Sequence, residues 1–208
     1  MYMDKAVLQK TVENLRKNGF DARLAHNKEE AQTLVAEYIV PYGTVGFGGS
    51  VTVRELGLPD LARAHKAKVY DHWQEHLSAE EKMDIMRKCL TCDLYITSTN
   101  AISESGKIFN IDGNGNRVAA MIFGPKKVVI VAGKNKIAAD DEKALARIKT
   151  IACPQNAARL KMKTPCVKTG HCLNCQAADR ICKITSVMEK KPGLTDITVI
   201  IIDEELGY

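Results

Sequence analysis

Four of the seven cysteines lie close together near the end of the chain, in the text TPCVKTGHCLNCQAADRICK. They are Cys166, Cys172, Cys175 and Cys182. Disulfides are disfavoured in the cytoplasm, where we expect this chain to be, so clustered thiols indicate a metal or cluster site. Zinc and an iron–sulfur cluster both accept four thiolates. The spacing matches neither a paired CxxC zinc ribbon nor a ferredoxin run, so zinc, iron–sulfur and free thiols all stay open.

A second concentration of polar residues lies between two apolar runs, at residues 97–124. It contains two acids, Glu104 and Asp112, next to Ser-Gly, Asp-Gly and Asn-Gly turns. A carboxylate held in such a turn beside a cleft can attack an activated acyl group or move a proton. We therefore predict that both acids are catalytic candidates. Their alternative is a purely local role, because Asp and Asn are favoured in turns.

Residues that could bind an anion come from two parts of the chain. One is a glycine loop at 46–50, whose backbone N–H groups can approach a ligand and whose serine can cap a helix. It has neither a Walker lysine nor the dinucleotide glycine spacing, so a plain strand-to-helix turn is the alternative. The other follows the Asp-Gly turn and includes an arginine that can bind carboxylate or phosphate. The predicted ligand-binding residues are Gly46, Gly48, Gly49, Ser50, Asn114, Asn116 and Arg117.

Amphipathic helices alternate with short strands over the first half of the chain. An apolar stripe predicts a helix that ends at an Asn-Gly pair, then a strand at 20–24 and a second helix that ends before Pro41. Ser78 followed by Glu81 predicts a capping box at the start of a later helix. This alternation indicates an α/β fold.

Apolar runs at 94–96, at 128–131 and within 196–203 predict buried strands. We therefore predict one α/β domain over residues 1–208, with a mostly parallel central sheet and flanking helices. Residues 163–185, called the cysteine segment below, are predicted to be a cysteine-rich insertion before the last strand.

Two further cysteines, Cys89 and Cys92, end a predicted helix directly before a strand. A thioredoxin-type pair instead follows a strand and opens a helix. The reversed order predicts two buried, reduced thiols rather than a redox pair.

Composition limits the classes of function. Of 208 residues, 45% are hydrophobic, and 30 basic against 25 acidic residues give a net charge of +5. One Trp, six Tyr and four Phe are not interleaved with the basic residues, which argues against a nucleic-acid surface. No apolar run is long enough to span a membrane, and the first residues include charges where a signal peptide needs an apolar segment. We expect a cytoplasmic protein that binds a small anionic metabolite.

The texts GFGGSVTVRELGL and TSTNAISESGKIFNIDGNGNRVAAMIFGPKKVVIVAGKNKI, in this order, resemble the lactate-utilisation (LUD) domain family. The match covers about residues 5–131 and the terminal strand. The resemblance implies the α/β fold of the NagB/RpiA/CoA-transferase-like superfamily, which includes ribose-phosphate isomerase. It places the loop at 46–50 as an anion or cofactor loop and Glu104 near the glutamate nucleophile of CoA transferases. It also implies a link to lactate oxidation through an iron–sulfur-containing multiprotein system, although the compact cysteine segment departs from the family's component of that system.

Three functions remain open at this point. The first is a LUD-type metabolic protein that binds a small organic-acid anion, with an iron–sulfur cluster or zinc at the cysteine segment. The second is a CoA-transferase-like or sugar-phosphate isomerase-like enzyme in which Glu104 does the chemistry. The third is a non-catalytic subunit that senses redox state or docks an electron-transfer or iron–sulfur protein partner. The sequence does not name the substrate, and it leaves open whether the chain is a homo-oligomer.

Overall fold

The computed structural model describes residues 5–208, which alternate between helices and strands. The helices are α1 (Lys5–Lys17), α2 (Lys28–Ile39), α3 (Val51–Glu55), α4 (Leu58–Ala64), α5 (Ala79–Cys89), α6 (Asn116–Ile122), α7 (Asp141–Arg147), α8 (Cys153–Arg159) and α9 (Cys166–Thr169). The strands are β1 (Asp21–Ala25), β2 (Thr44–Phe47), β3 (Lys68–Tyr70), β4 (Leu94–Thr97), β5 (Ala101–Ser103), β6 (Ile108–Asp112), β7 (Lys127–Gly133), β8 (Ile137–Ala138), β9 (Ile184–Met188) and β10 (Asp196–Ile202). A 3-10 turn, Lys134–Lys136, follows β7, and a π-helical turn, Ile148–Ala152, joins α7 to α8.

The core is a six-stranded sheet with the strand order β1-β10-β7-β4-β2-β3. Every neighbouring pair in it is parallel. The two strands β7 and β10 are buried along almost their whole length, as expected when helices cover both faces of a parallel sheet. The prediction of an α/β fold with a mostly parallel central sheet and flanking helices is therefore confirmed.

Two hydrophobic clusters pack on opposite faces of this sheet. Successive residues of β7 contribute to different clusters, because side chains alternate across a strand. Ile130 packs with Leu8 of α1 on one face, whereas Val131 packs with Val35 of α2 on the other. The sheet is thus held between α1 on one side and α2 on the other.

A second sheet of four strands, in the order β8-β5-β6-β9, was not predicted from the sequence. Strands β5 and β6 form an antiparallel hairpin, β8 pairs parallel with β5, and β9 pairs antiparallel with β6. The hairpin turns at Gly106, with φ of 82°, and its backbone lies against α1 at Asn14. The stretch 97–124 therefore supplies the two central strands, β5 and β6, of this second sheet.

The cysteine segment follows α8, runs into the first two residues of β9, and contains little other regular structure beyond α9. Backbone hydrogen bonds tie it to the rest of the fold: Cys172 N donates to Lys149 O at 3.0 Å, and Lys183 N donates to Asp112 O at 3.0 Å. Among residues 5–208, no helix is both long and apolar enough to cross a membrane.

Candidate functional site

A cleft of about 850 Å³ opens at the carboxyl ends of the parallel strands. Segments that follow β2, β3, β4 and β7 contribute Gly49, Trp73, Ser98 and Lys136 to its lining. Ligands of open α/β sheets bind outside the carboxyl ends of the strands. The opposite wall comes from the start of α6, from α8 and from the cysteine segment. The cleft therefore brings together parts of the chain that are far apart in sequence.

Lys136 lies at the base of this cleft and is only 3% exposed. Its Nζ donates hydrogen bonds to Thr52 Oγ1 at 2.8 Å, Ser98 Oγ at 2.9 Å and Thr99 O at 3.2 Å. Within the described residues, no carboxylate oxygen forms an ion pair with it. A buried ammonium without a carboxylate partner is costly, so this residue is the most chemically distinctive in the cleft.

The environment of Lys136 favours its neutral form. Burial and, to a smaller extent, the charges of Arg147 and Arg117 together lower its pKa to about 7, with Glu55 opposing them. Arg147 is itself buried, and its pKa is lowered to about 10 by that burial. It donates through Nε to Asn135 O at 2.8 Å. The charges of Arg117 and Arg147 thus act on Lys136 at the base of the cleft.

Arg117, a predicted ligand-binding residue, lines the cleft, but its guanidinium nitrogens already have partners within the protein. Its Nη1 donates to Asn110 Oδ1 at 2.6 Å and to Ser98 O at 3.2 Å. Its Nη2 donates to Asn100 Oδ1 at 2.9 Å, and Nε lies 3.5 Å from Asp112 Oδ2. The guanidinium joins β4, β6 and α6, and its charge acts on the cleft from a fixed position.

Asp112, a predicted catalytic acid, also lines the cleft and is 9% exposed. Its Oδ1 accepts hydrogen bonds from the backbone N–H groups of Asn114 at 3.2 Å and Gly115 at 3.0 Å. These contacts shape the turn before α6, in which Gly115 has a φ of 84°. The predicted residues Asn114 and Asn116 lie at the same wall of the cleft. The contacts of Asp112 are those of a turn residue at the edge of a cleft.

The glycine loop divides into two parts. Gly49 and Ser50 line the cleft, and Ser50 Oγ accepts from Val53 N at 3.3 Å to begin α3. Gly46 and Gly48 are not among the lining residues. A Cβ at Gly46 would lie 2.8 Å from Cys92 Sγ, so this glycine allows close packing in the core.

Glu104, the other predicted catalytic acid, is not brought to the cleft. It lies beside α1, where its backbone oxygen accepts a hydrogen bond from Asn14 Nδ2 at 2.7 Å. Its Oε2 lies 3.5 Å from Lys10 Nζ. The structure thus places Asp112 at the cleft and Glu104 away from it, beside α1.

An aromatic wall closes one side of the cleft. The Trp73 ring is contacted by Arg54 Cζ at 5.0 Å and by Arg159 Cζ at 4.2 Å from its centroid. Arg54 is held by two hydrogen bonds to Asp71, at 2.7 and 2.5 Å. His72 beside it is buried, burial lowers its pKa, and its Nδ1 has no hydrogen-bond partner in the described part of the chain.

The four cysteines predicted as metal ligands, Cys166, Cys172, Cys175 and Cys182, are all half-buried. No three or more His, Cys, Asp or Glu side chains within residues 5–208 are arranged so that they could hold a metal ion. Arg180 lies among these cysteines, donates to Cys175 O at 2.7 Å and to Cys182 O at 3.1 Å, and lines the cleft. The cysteine segment is therefore a wall of the cleft.

Cys153, at the start of α8, is a fifth cysteine at this wall that the sequence reasoning did not single out. It is 5% exposed, and burial raises its pKa to about 12, with smaller contributions from the nearby thiols of Cys182, Cys172 and Cys166. It directly follows the π-helical turn, a feature found often at functional sites.

The sequence reasoning also missed Lys136, because a lysine in the text GKNK suggests an exposed turn. A signal was present, since this lysine comes three residues after a wholly buried strand that ends at Gly133. Trp73 and Tyr208 line the cleft too, but no local pattern brings these distant positions together.

Comparison with known proteins bears on the family and the fold. The model of the LUD domain family matches residues 8–202. The crystal structure of a DUF162 family protein from Deinococcus radiodurans has a TM-score of 0.54 and 12% identity, and the match covers 96% of this chain and 99% of that one. eIF2B beta from Chaetomium thermophilum has a TM-score of 0.32 and 13% identity over 64% of this chain and 43% of its own. None of the curated proteins compared with this sequence matches it. The chain belongs to the LUD domain family.

Proposed function

We propose that this LUD-domain protein binds a small organic-acid anion in the cleft and serves the utilisation of lactate or a related acid. The observation that supports this most is the buried Lys136, whose Nζ contacts two hydroxyl groups and one backbone carbonyl rather than a carboxylate. An incoming carboxylate would supply the negative charge that the described residues do not provide there.

The surrounding charges favour the same ligand. Arg117 and Arg147 both lie near enough to Lys136 to lower its pKa. Two unit charges 4 Å apart in a protein interact by about 4 kcal/mol at an effective dielectric constant of 20. Arg117 at the cleft and Arg147 close to Lys136 therefore favour an anion, and the many contacts that hold Arg117 keep that attraction in place before the ligand arrives.

The size of the cleft suits a small-molecule ligand. Its volume of about 850 Å³ lies within the range of about 300–1,000 Å³ typical of small-molecule sites. The Trp73 wall offers an apolar and cationic surface at one side, and the hydroxyls of Thr52 and Ser98 offer hydrogen bonds at the base.

Thermal-shift measurements with L-lactate, pyruvate and inorganic phosphate test this proposal. A ligand at 100 times its Kd stabilises the folded state by about 2.7 kcal/mol, which raises the melting temperature measurably. We expect the organic acids to raise it for the wild type but not for Lys136→Met. Lys88→Met removes the same charge from an exposed position on α5 and should leave the shift intact. Equal shifts in wild type and Lys136→Met would contradict the proposal.

We further propose that the cysteine segment binds an iron–sulfur cluster or zinc, held by Cys166, Cys172, Cys175 and Cys182. Thiolates are ligands for both, and the Arg180 guanidinium among these cysteines would offset their negative charge. The thiols are not yet arranged as a ligand set, so binding would need the segment to rearrange. An iron–sulfur cluster there would supply electron transfer beside the cleft and would call for an electron-transfer partner.

Anaerobic purification followed by visible absorption and metal analysis tests the cysteine part. We expect iron or zinc in the wild type and its loss when Cys172 and Cys175 are both changed to serine. Changing the buried pair Cys89 and Cys92 to alanine is the matched control, because these thiols pack in the core. A colourless wild-type protein without iron or zinc would contradict this part and leave the anion site untouched.

A further inference from the structure

We propose that Lys136 is a catalytic residue that forms an imine with the carbonyl carbon of a small oxo acid bound in the cleft. This inference rests on the proposed anion site and names the substrate class: a carboxylic acid that also has an aldehyde or ketone group. The Arg117 guanidinium, which also lines the cleft, would attract the carboxylate, and the neutral amine of Lys136 would meet the neighbouring carbonyl.

The contacts of Lys136 accommodate a neutral amine as well as an ammonium. Thr52 Oγ1 donates to Leu206 O at 3.2 Å, so it can accept from Lys136 in either form. The backbone oxygen of Thr99 is a second acceptor. Ser98 Oγ, at 2.9 Å, has a rotatable hydroxyl hydrogen that can point to the amine lone pair. A neutral Lys136 thus has a partner for each of its hydrogens and for its lone pair, and the Ser98 hydroxyl can instead donate to Thr99 O at 3.4 Å.

The charges around Lys136 are those that keep a lysine nucleophilic. A desolvated lysine beside other cations loses its proton near neutral pH, and only the neutral amine attacks a carbonyl. With a pKa lowered to about 7, Lys136 is neutral in a substantial fraction of molecules at pH 7. A lysine with an ordinary pKa near 10.4 is neutral in roughly one molecule in 2,500 at that pH. Glu55 opposes this effect only in part, and no carboxylate among the described residues forms an ion pair with Lys136.

The reaction balances without any further reagent. The amine nitrogen forms a bond to the carbonyl carbon and gives a carbinolamine. The carbon–oxygen bond then breaks, and the oxygen leaves as water together with the two protons that the neutral amine carried. The hydroxyls of Ser98 and Thr52 contact Nζ and can pass these protons to the departing oxygen.

Lys136 differs from the other lysines in combining low exposure with a position at the cleft. Most of the other lysines lie at the surface, whereas Lys136 is 3% exposed and lines the cleft. Lys134 provides a matched comparison, because it lies in the same 3-10 turn and forms an ion pair with Asp203 at 2.9 Å. An imine should therefore form at Lys136 and not at Lys134.

Reductive trapping tests the inference on the full chain. The protein is treated at pH 7 with pyruvate and sodium cyanoborohydride, digested, and its peptides are mapped by mass spectrometry. We expect one dominant reduced adduct, at Lys136, at least tenfold more abundant than at any other lysine. Lys136→Arg retains a positive charge and should lose this adduct, whereas Lys134→Arg should retain it. A wild-type adduct spread evenly over surface lysines would overturn the inference, and that outcome does not depend on whether any variant folds.

A thermal-shift measurement with pyruvate alone separates the two proposals. Stabilisation by pyruvate without an adduct at Lys136 would overturn the imine and leave the anion site standing. An adduct at Lys136 together with stabilisation supports both. Absence of both stabilisation and adduct, with lactate and phosphate equally inert, would contradict the proposed function itself.

Discussion

Lys136 Nζ donates a hydrogen bond to Ser98 Oγ at 2.9 Å, and this contact joins the turn after β7 to the end of β4. The backbone oxygen of Ser98 also accepts from Arg117 Nη1 at 3.2 Å. Ser98 therefore lies between the most buried lysine of the cleft and the arginine that anchors the second sheet. A substitution of either Lys136 or Arg117 should therefore alter the position of the other through Ser98.

The burial of Lys136 should make stability depend on pH. Its pKa is about 7 in the folded protein and near its ordinary value of 10.5 when unfolded. Between these values the unfolded chain binds more protons, so the free energy of unfolding rises with pH, by up to about 1.4 kcal/mol per pH unit. Below pH 7 the contribution is constant and destabilising.

Urea denaturation between pH 7 and 8.5 measures this slope, which Lys136→Met should reduce. The range stops at 8.5 because Cys89, Cys92 and Cys153 have pKa values raised by burial and act in the opposite direction at higher pH. Equal slopes in Lys136→Met and wild type would show that the lysine is not buried as described.

Gly106 should be intolerant of a side chain. Its φ is 82°, and an added Cβ would lie 2.6 Å from the backbone of Asn14 and Leu15 in α1. We expect Gly106→Ala to lower the free energy of unfolding by about 3 kcal/mol, from the left-handed backbone and from overpacking. Urea denaturation measures the change.

Two other glycines separate the causes. Gly170 has a φ of 74° with nothing within 4 Å of an added Cβ, so Gly170→Ala tests the backbone conformation alone. Gly193 has open space and no left-handed φ, so Gly193→Ala should be nearly neutral. If Gly106→Ala cost no more than Gly170→Ala, the contact between the hairpin and α1 would not be close.

The elements that the sequence predicted well were those set by local physics. Ser78 and Glu81 form the predicted capping box, and the apolar text of β10 is a buried parallel strand. The second sheet was missed because its short strands depend on partners up to 80 residues away: Asn110 pairs with Ser186. Lys136 was missed because its burial depends on Thr52 and Ser98, which the fold brings to it.

Arg117 should not be replaceable by lysine. Its planar guanidinium contacts Asn100, Asn110 and the backbone oxygen of Ser98 at once, and an ammonium cannot reproduce that fork. We expect Arg117→Lys to lower the free energy of unfolding by about 2 kcal/mol, because buried polar groups lose their partners. Arg87→Lys, on a side chain 72% exposed, is the control and should change it by less than about 0.5 kcal/mol. An Arg117→Lys protein with the same free energy of unfolding as the wild type would mean that these hydrogen bonds contribute little to stability.

The cysteines should divide into two classes of reactivity. The predicted metal ligands are half-buried, whereas Cys89, Cys92 and Cys153 are buried with raised pKa values, about 11, 12 and 12 respectively. Since the thiolate is the reactive form, we expect metal-free native protein to be alkylated by iodoacetamide at pH 8 first at Cys166, Cys172, Cys175 and Cys182. The buried three should react at least tenfold more slowly, and all seven should react together in urea. Peptide mapping over time measures the rates. Fast labelling of Cys153 in the native state would contradict its burial and show that the wall formed by α8 and the cysteine segment opens. Cys89 and Cys92 lie in the core, so their slow labelling is the internal reference for a folded protein.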